Sequence, residues 1–310
     1  MTLIKRSLYM FLLLLISIAC KKKNNVTPDC PSTFSNGILV LNEGLFQLNN
    51  ATLSFISRNT DGVSTNFFEQ TTGRLLGDTG NDLKKYGNKI YVVVNVSATI
   101  EVLNASDGSS VKQISMLNNG ESKQPRSIAF YGGNAFVSCF DGYIDVIDTV
   151  SLSIIKRIPV GLNPDGITKY GSKLFVSNSG GLNAPTMDST VSVIDAINLI
   201  EEKKVVVGLN PGSVKPDSEG NIFVVARGNY GSIPSRLTKI NGTTLTVEKK
   251  YEFDASGLEP MGSNMLISYH NSISQENNIA LFNPISDSIE QDSFLDLSGV
   301  ETLYGMHHNE

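Results

Sequence analysis

Short apolar runs punctuated by glycine, asparagine and aspartate recur along nearly the whole chain. The pattern is clearest at Gly171-Ser-Lys-Leu-Phe-Val-Ser-Asn178, Thr190-Val-Ser-Val-Ile-Asp195, Lys204-Val-Val-Val-Gly-Leu-Asn-Pro211 and Gly220-Asn-Ile-Phe-Val-Val225. A marker position, the aromatic or leucine in the strand after each glycine hairpin, falls at Leu39, Tyr91, Phe136, Phe175, Phe223 and Leu266. The intervals are 52, 45, 39, 48 and 43 residues. A repeat of ~40–50 residues holding four short strands is the signature of a propeller blade. Uneven intervals speak against a solenoid, whose layers must stack in register. Downstream strands repeat as well, at Ile100-Glu-Val-Leu103, Ile144-Asp-Val-Ile-Asp148, Leu237-Thr-Lys-Ile240 and Ile279-Ala-Leu-Phe282, with the alternation of sheet segments. After residue 20 no long window has apolar residues at helical spacing. The fold class read here is all-β, a β-propeller.

Six marker strands are present, and the chain ends at Tyr304-Gly-Met-His-His-Asn-Glu310, which reads as the inner strand of one more blade. The expectation is therefore a seven-bladed type with six complete blades and the last largely missing from this chain. Six blades closing with unusual termini is the alternative. The sixth repeat is also irregular, because Pro260 lies only 6 residues before Leu266, whereas Pro164 precedes Leu174 by 10 and Pro211 precedes Ile222 by 11. Its inner strand is expected to be short or shifted.

The N-terminus carries a different pattern. Lys5 and Arg6 precede an apolar run from Leu8 to Ala19, broken only by Ser17. Its 12 residues fall short of the ~20 that a membrane-spanning helix needs and fit a secretory signal. The run ends Ser17-Ile-Ala-Cys20, which resembles a bacterial lipobox with Cys20 as the lipidated residue. The domains expected are a signal peptide over 1–19, a lipidated flexible tether over 20–35 and the propeller over 36–310. Such a protein is anchored to a membrane rather than spanning it.

Composition sharpens this. The formal net charge is −5, and removing residues 1–19 takes away two bases and no acid, leaving 23 basic against 30 acidic residues. An acidic surface argues against nucleic acid as a partner. Of three cysteines, Cys20 is assigned to lipid, and Cys30 and Cys139 are expected to stay unlinked.

Val176-Ser-Asn-Ser-Gly180, Thr190-Val-Ser-Val-Ile-Asp195 and Val207-Gly-Leu-Asn-Pro211 resemble the YVTN repeat of YncE-like propellers. Leu41-Asn-Glu-Gly-Leu-Phe46 followed by Asn50-Ala-Thr-Leu-Ser-Phe55, with Tyr304-Gly-Met306, resembles exported Bacteroidetes lipoproteins of the DUF5074 type. That resemblance covers roughly residues 36–310 and implies seven blades. It also implies an outer-membrane lipoprotein, since some members capture cobalamin for a TonB-dependent transporter. Lys21, Lys22 and Lys23 depart from the acidic stretch common after the cysteine in surface-displayed members, which leaves a periplasm-facing orientation open.

In a propeller, the loops leading into the inner strands and those between second and third strands open on one face, around a central funnel. Mapping the repeats places Asn42, Glu43, Asn95, Phe140, Asp141, Asn178, Arg227, Tyr230, Tyr269 and His270 in the second set. Asp78, Arg126, Asp165, Asn210 and Tyr304 fall in the first. The ligand-contact candidates are Asn95, Arg126, Asp165, Asn178, Arg227, Tyr230, His270 and Tyr304. Recurring asparagines also serve as turn residues, and Asp148 and Asp195 read as turn caps. Arg126 and Asp165 hold equivalent places in neighbouring repeats, which suits contacts with each other as well as with a ligand. Arg227 and Tyr230 stand in a loop longer than a blade connection requires.

Signatures of catalysis are missing from the sequence. There is no Gly-x-Ser-x-Gly, His-Glu-x-x-His or Cys-x-x-Cys; the histidines are His270, His307 and His308, and there is no tryptophan. A non-enzymatic binding module without a cofactor is the expectation. An interaction scaffold is the second reading. A metal-dependent lactonase using Glu43, Asn95, Asn178 and Asp165 as oxygen ligands is the third.

Overall fold

The computed structural model describes residues 34, 36–60, 62–271, 276–295, 297 and 306. The signal, Cys20, the tether with Cys30 but not its Phe34, and Tyr304 lie outside these residues. Strands dominate, and all their pairings are antiparallel between sequence neighbours. The first sheet has three described strands: Gly37–Asn42, Thr52–Ser57 and Val63–Ser64. Five four-stranded sheets follow, and their inner strands are Gly80–Tyr86, Pro125–Tyr131, Pro164–Tyr170, Pro211–Pro216 and Ala255–Met261. The strands holding the markers come next, at Lys89–Val94, Asn134–Cys139, Lys173–Asn178, Asn221–Ala226 and Asn264–Asn271. Inner strands of successive sheets lie side by side, and the six sheets form a β-propeller arrangement.

Two-sided burial explains the sequence pattern. Along Lys89–Val94, Tyr91 and Val93 enter the core shared with the third sheet, while Ile90, Val92 and Val94 pack back on the first. Phe175 likewise faces the fifth sheet while Leu174 and Val176 face the third. A strand whose side chains alternate between two cores is apolar throughout, which is why the marker strands read as continuous hydrophobic runs. The markers Tyr91, Phe136, Phe175 and Phe223 are each fully buried. The glycine of the first hairpin adopts a left-handed backbone in four sheets, with φ of 59° at Gly87, 58° at Gly132, 58° at Gly171 and 59° at Gly262. Two-residue turns matched to the sheet twist require that geometry.

Three details correct or extend the sequence reading. The sixth inner strand is neither short nor shifted. It runs through seven residues, Ala255–Met261, because Ala255 takes the place that proline holds in its neighbours and Pro260 corresponds to Pro216. A short helix, Phe67–Thr72, seats Phe67 and Phe68 with Phe34 and Phe55 between the first two sheets. Cys139 is a free thiol buried in the core, and burial pushes its ionisation well up. Among the described residues no helix is long and apolar enough to cross a membrane.

Candidate functional site

The inner strands of the five four-stranded sheets share one local irregularity. In each, register slips just after the first residue: Gly80/Asp82, Pro125/Ile128, Pro164/Ile167, Pro211/Val214 and Ala255/Gly257. A bulge leaves its extra residue outside the ladder and re-aims the side chain. Asn81, Asp165, Gly212 and Ser256 thereby line a polar central channel of about 340 Å³. A serine from the marker strand secures two of these bulges. Ser138 accepts from the Ser127 N–H at 3.1 Å and donates to the Asp165 carbonyl of the next sheet at 2.5 Å. Ser177 repeats this, accepting from Gly166 at 2.9 Å and donating to the Gly212 carbonyl at 2.6 Å.

The bulges of three successive sheets assemble an ion cluster. Asp165 Oδ1 accepts from Arg126 Nε at 3.1 Å, and its Oδ2 accepts from Arg227 Nη1 at 3.0 Å. Arg126 Nη1 also donates to Asn81 Oδ1 at 3.0 Å, and its guanidinium lies 4.7 Å over the Phe140 ring. Arg227 lies flat where a side chain at position 212 would stand, since a Cβ there would come within 2.2 Å of its Cζ. Glycine at 212 is thus what admits Arg227. Burial pushes the Asp165 carboxyl up, but the two guanidiniums outweigh it and hold it below the usual carboxylate range.

Above the cluster opens a wider funnel of about 500 Å³, walled by Leu45, Phe46, Val96, Phe140 and Leu182, with Arg126, Asn95 and Glu43 among its polar groups. Its loops project large apolar side chains into solvent: Leu45 is 63% exposed, Phe46 69% and Leu182 64%. They are nevertheless braced. Both oxygens of Asp78 accept backbone N–H groups, from Gln47 at 3.1 Å and Asn49 at 3.0 Å, and Asn50 Oδ1 accepts from Leu45 at 2.7 Å. Asn163 Oδ1 accepts from the Leu182 N–H at 3.1 Å, and Asp188 Oδ2 accepts from Leu162 at 2.9 Å. Held apolar tips around a concavity cost little ordering entropy when a ligand arrives.

The candidates divide on this geometry. Arg126, Asp165 and Arg227 come together in the cluster, and Asn95 lines the funnel while donating to the Pro125 carbonyl at 2.9 Å. Asn178 belongs to the frame. It is fully buried, accepts from Gly161, and donates to Thr190 at 2.9 Å and Ser192 at 2.8 Å. Tyr230 is 75% exposed on a loop pinned by Asn229, and His270 is exposed at the end of its strand. Neither lines the funnel. The oxygen quartet drawn for a cation does not assemble as one, because Asn178 is buried and bonded into the frame and Asp165 sits between two cations. Among the described residues no group of three acidic, histidine or cysteine side chains is placed to hold a metal. Sequence reasoning missed Asn81, although aligning Gly80-Asn-Asp-Leu with Pro125-Arg-Ser-Ile would have found it. Leu182 stands in the long loop 179–188 that follows a marker strand, yet no repeat position singles it out as a contact.

A family model described as "Domain of unknown function (DUF5074)" matches residues 36–284. No curated protein matches the chain. Among solved structures, the chain is similar to Kuenenia stuttgartiensis hydrazine synthase, at 16% identity and a TM-score of 0.50, covering 66% of this chain and 65% of that one. A chain of the mitotic checkpoint complex is similar at 11% identity and a TM-score of 0.62, with 84% and 74% covered. The Neurospora crassa Pan2 WD40 domain is similar at 11% identity and a TM-score of 0.57, with 83% and 76% covered. The chain thus spans just under two thirds of the hydrazine synthase chain. At these identities the likeness is one of fold alone.

Proposed function

The chain belongs to the DUF5074 family, and on that premise we propose that it is an exported, lipid-anchored protein whose propeller holds a ligand without transforming it. The observation that carries this reading is the funnel: rigidly braced, exposed apolar side chains surround a concave floor that ends in a charged cluster. Folding does not need Phe46 or Leu182 in solvent, whereas a ligand with an apolar face does. The sharpest form of the proposal is capture of cobalamin, or a similar large ligand edged with amides, for a TonB-dependent outer-membrane transporter. Apolar walls would cover its face, and Asn95, Gln124 and Arg126 on the funnel lining would meet its rim. Cys20 would tether the protein to the outer membrane, facing either the cell surface or the periplasm.

Calorimetry of the full-length protein with cyanocobalamin tests the corrinoid form, with saturable heat at micromolar concentrations as the expected result. No heat would remove that form. Anchoring has its own test: Cys20→Ala should lose palmitate labelling and leave the membrane fraction. A partner-protein scaffold is the second reading, favoured by Leu48, which is 59% exposed on the same loop as Phe46.

A further inference from the structure

The charges around the funnel floor do not all cancel locally. Lys84 pairs with Asp82 and Lys215 with Glu259 along the channel. Lys123, Asp145, Arg157 and Asp141 form a balanced chain beside it. Arg126 and Arg227, however, share one carboxylate. Among the described ion pairs, one guanidinium at the floor is therefore left without a carboxylate of its own. Arg126 faces the funnel, and among the described residues its Nη2 has no protein partner.

Three separate residue choices hold that guanidinium ready. Phe140 supports its plane, Asn81 fixes one nitrogen, and Asp165 fixes another. Arg227 acts through Asp165, drawing away half of the carboxylate that would otherwise neutralise Arg126. A planar guanidinium, partly shielded from water and pre-oriented, is the group best suited to a carboxylate or phosphate oxygen. The wall above it is apolar. Glu43 is the one acidic residue among those described on the funnel lining, and its charge opposes a second negative charge on the ligand.

We propose that the funnel takes an amphiphilic monoanion, with one carboxylate or phosphate oxygen pair meeting Arg126 and an apolar body lying against Phe46 and Leu182. Arg126 is the contact residue, and Asp165 and Arg227 are positioning residues. This rests on the reading of the funnel as a ligand site, and its test separates the two.

Equilibrium dialysis of the full-length protein against three probes that share a naphthyl body provides that test: 2-naphthoate, methyl 2-naphthyl phosphate and neutral 2-naphthamide. At least one anion should bind tenfold or more tightly than the amide, and which one does identifies the head group. Arg126→Gln should shrink the preference to below threefold, Arg126→Lys, which keeps the charge but not the planar fork, should retain only part of it, and Glu43→Gln should widen it about twofold. Added salt should weaken the anion and spare the amide. If Arg126→Gln fails to fold, the wild-type comparison of anion with amide still decides. Equal binding of the amide and both anions, removed by Phe46→Asp, would overturn the monoanion proposal while leaving the funnel a ligand site. No binding of any probe, or binding untouched by Phe46→Asp, would overturn both.

Discussion

The two ends of the sheets are built on opposite plans. At the end away from the funnel, the turn between third and outer strands repeats one device five times. Asn104, Asp148, Asp195, Asn241 and Asn283 each accept backbone N–H bonds from residues two or three positions on. The chain then passes through a left-handed residue, at Gly108, Leu152, Leu199, Leu245 and Asp287. At the funnel end the entry turns still repeat, through left-handed Thr79, Gln124, Asn163 and Asn210, whose carbonyls accept the N–H of Asn95, Phe140, Ser179 and Arg227. Beyond them the loops differ in length and in brace, drawn from Asp78, Asn163, Asp188 or Asn229. The regular end is a solution to chain reversal that any blade can use. Where the scaffold is so uniform, the departures at the other end mark what folding did not require.

Substitutions can break that contrast, and the deepest cut is expected at Asn178, the member of the funnel end that belongs to the frame. Asn178→Ala would strand the buried Gly161 N–H and the Ser192 hydroxyl, costing about 3 kcal/mol; urea midpoints measure it. A loss below about 1 kcal/mol would return Asn178 to the ligand contacts. Asp165→Asn should cost about 2 kcal/mol at neutral pH, at the lower end for a broken ion pair because both guanidiniums keep some solvent. The acid limb sharpens this. Because the folded-state pKa of Asp165 is depressed, its contribution is complete above the unfolded carboxylate pKa and disappears as pH falls through the folded value. Thermal melts across that window should show a shallower slope for the variant, and equal slopes would contradict the assignment. The smallest effect belongs to the repeating end: Asp148→Ala and Asp195→Ala should each lower the urea midpoint by less than Asp165→Asn does, and the two shifts should add. Strong non-additivity would mean that these turns are not independent units.

What was legible in the sequence follows from the same division. The blade rhythm showed because every marker strand feeds two cores, and the turn caps Asp148 and Asp195 showed because their bonds are local. Arg126 and Asp165 stood out as equivalents in adjacent repeats, and the structure joins them. Arg227 reached the same cluster by a route no alignment displays, crossing over a glycine in its own sheet. Asn178 looked like a loop residue because its partners, Thr190 and Ser192, lie beyond a long loop. Asp78 braces a loop about thirty positions upstream, a relation set by tertiary packing rather than by spacing. Ala255 hid the start of the sixth inner strand simply by not being proline.

The serines at the bulges have a bearing on how the molecule breathes. Ser177 holds an amide of its own blade while its hydroxyl hydrogen is committed to the next, so freeing Gly166 to trade its proton for deuterium disturbs both. Isotope uptake at Ser127 and Gly166 would then clock the parting of neighbouring sectors rather than local fraying. Those two amides become native reporters of whether the ring opens when something settles into its mouth.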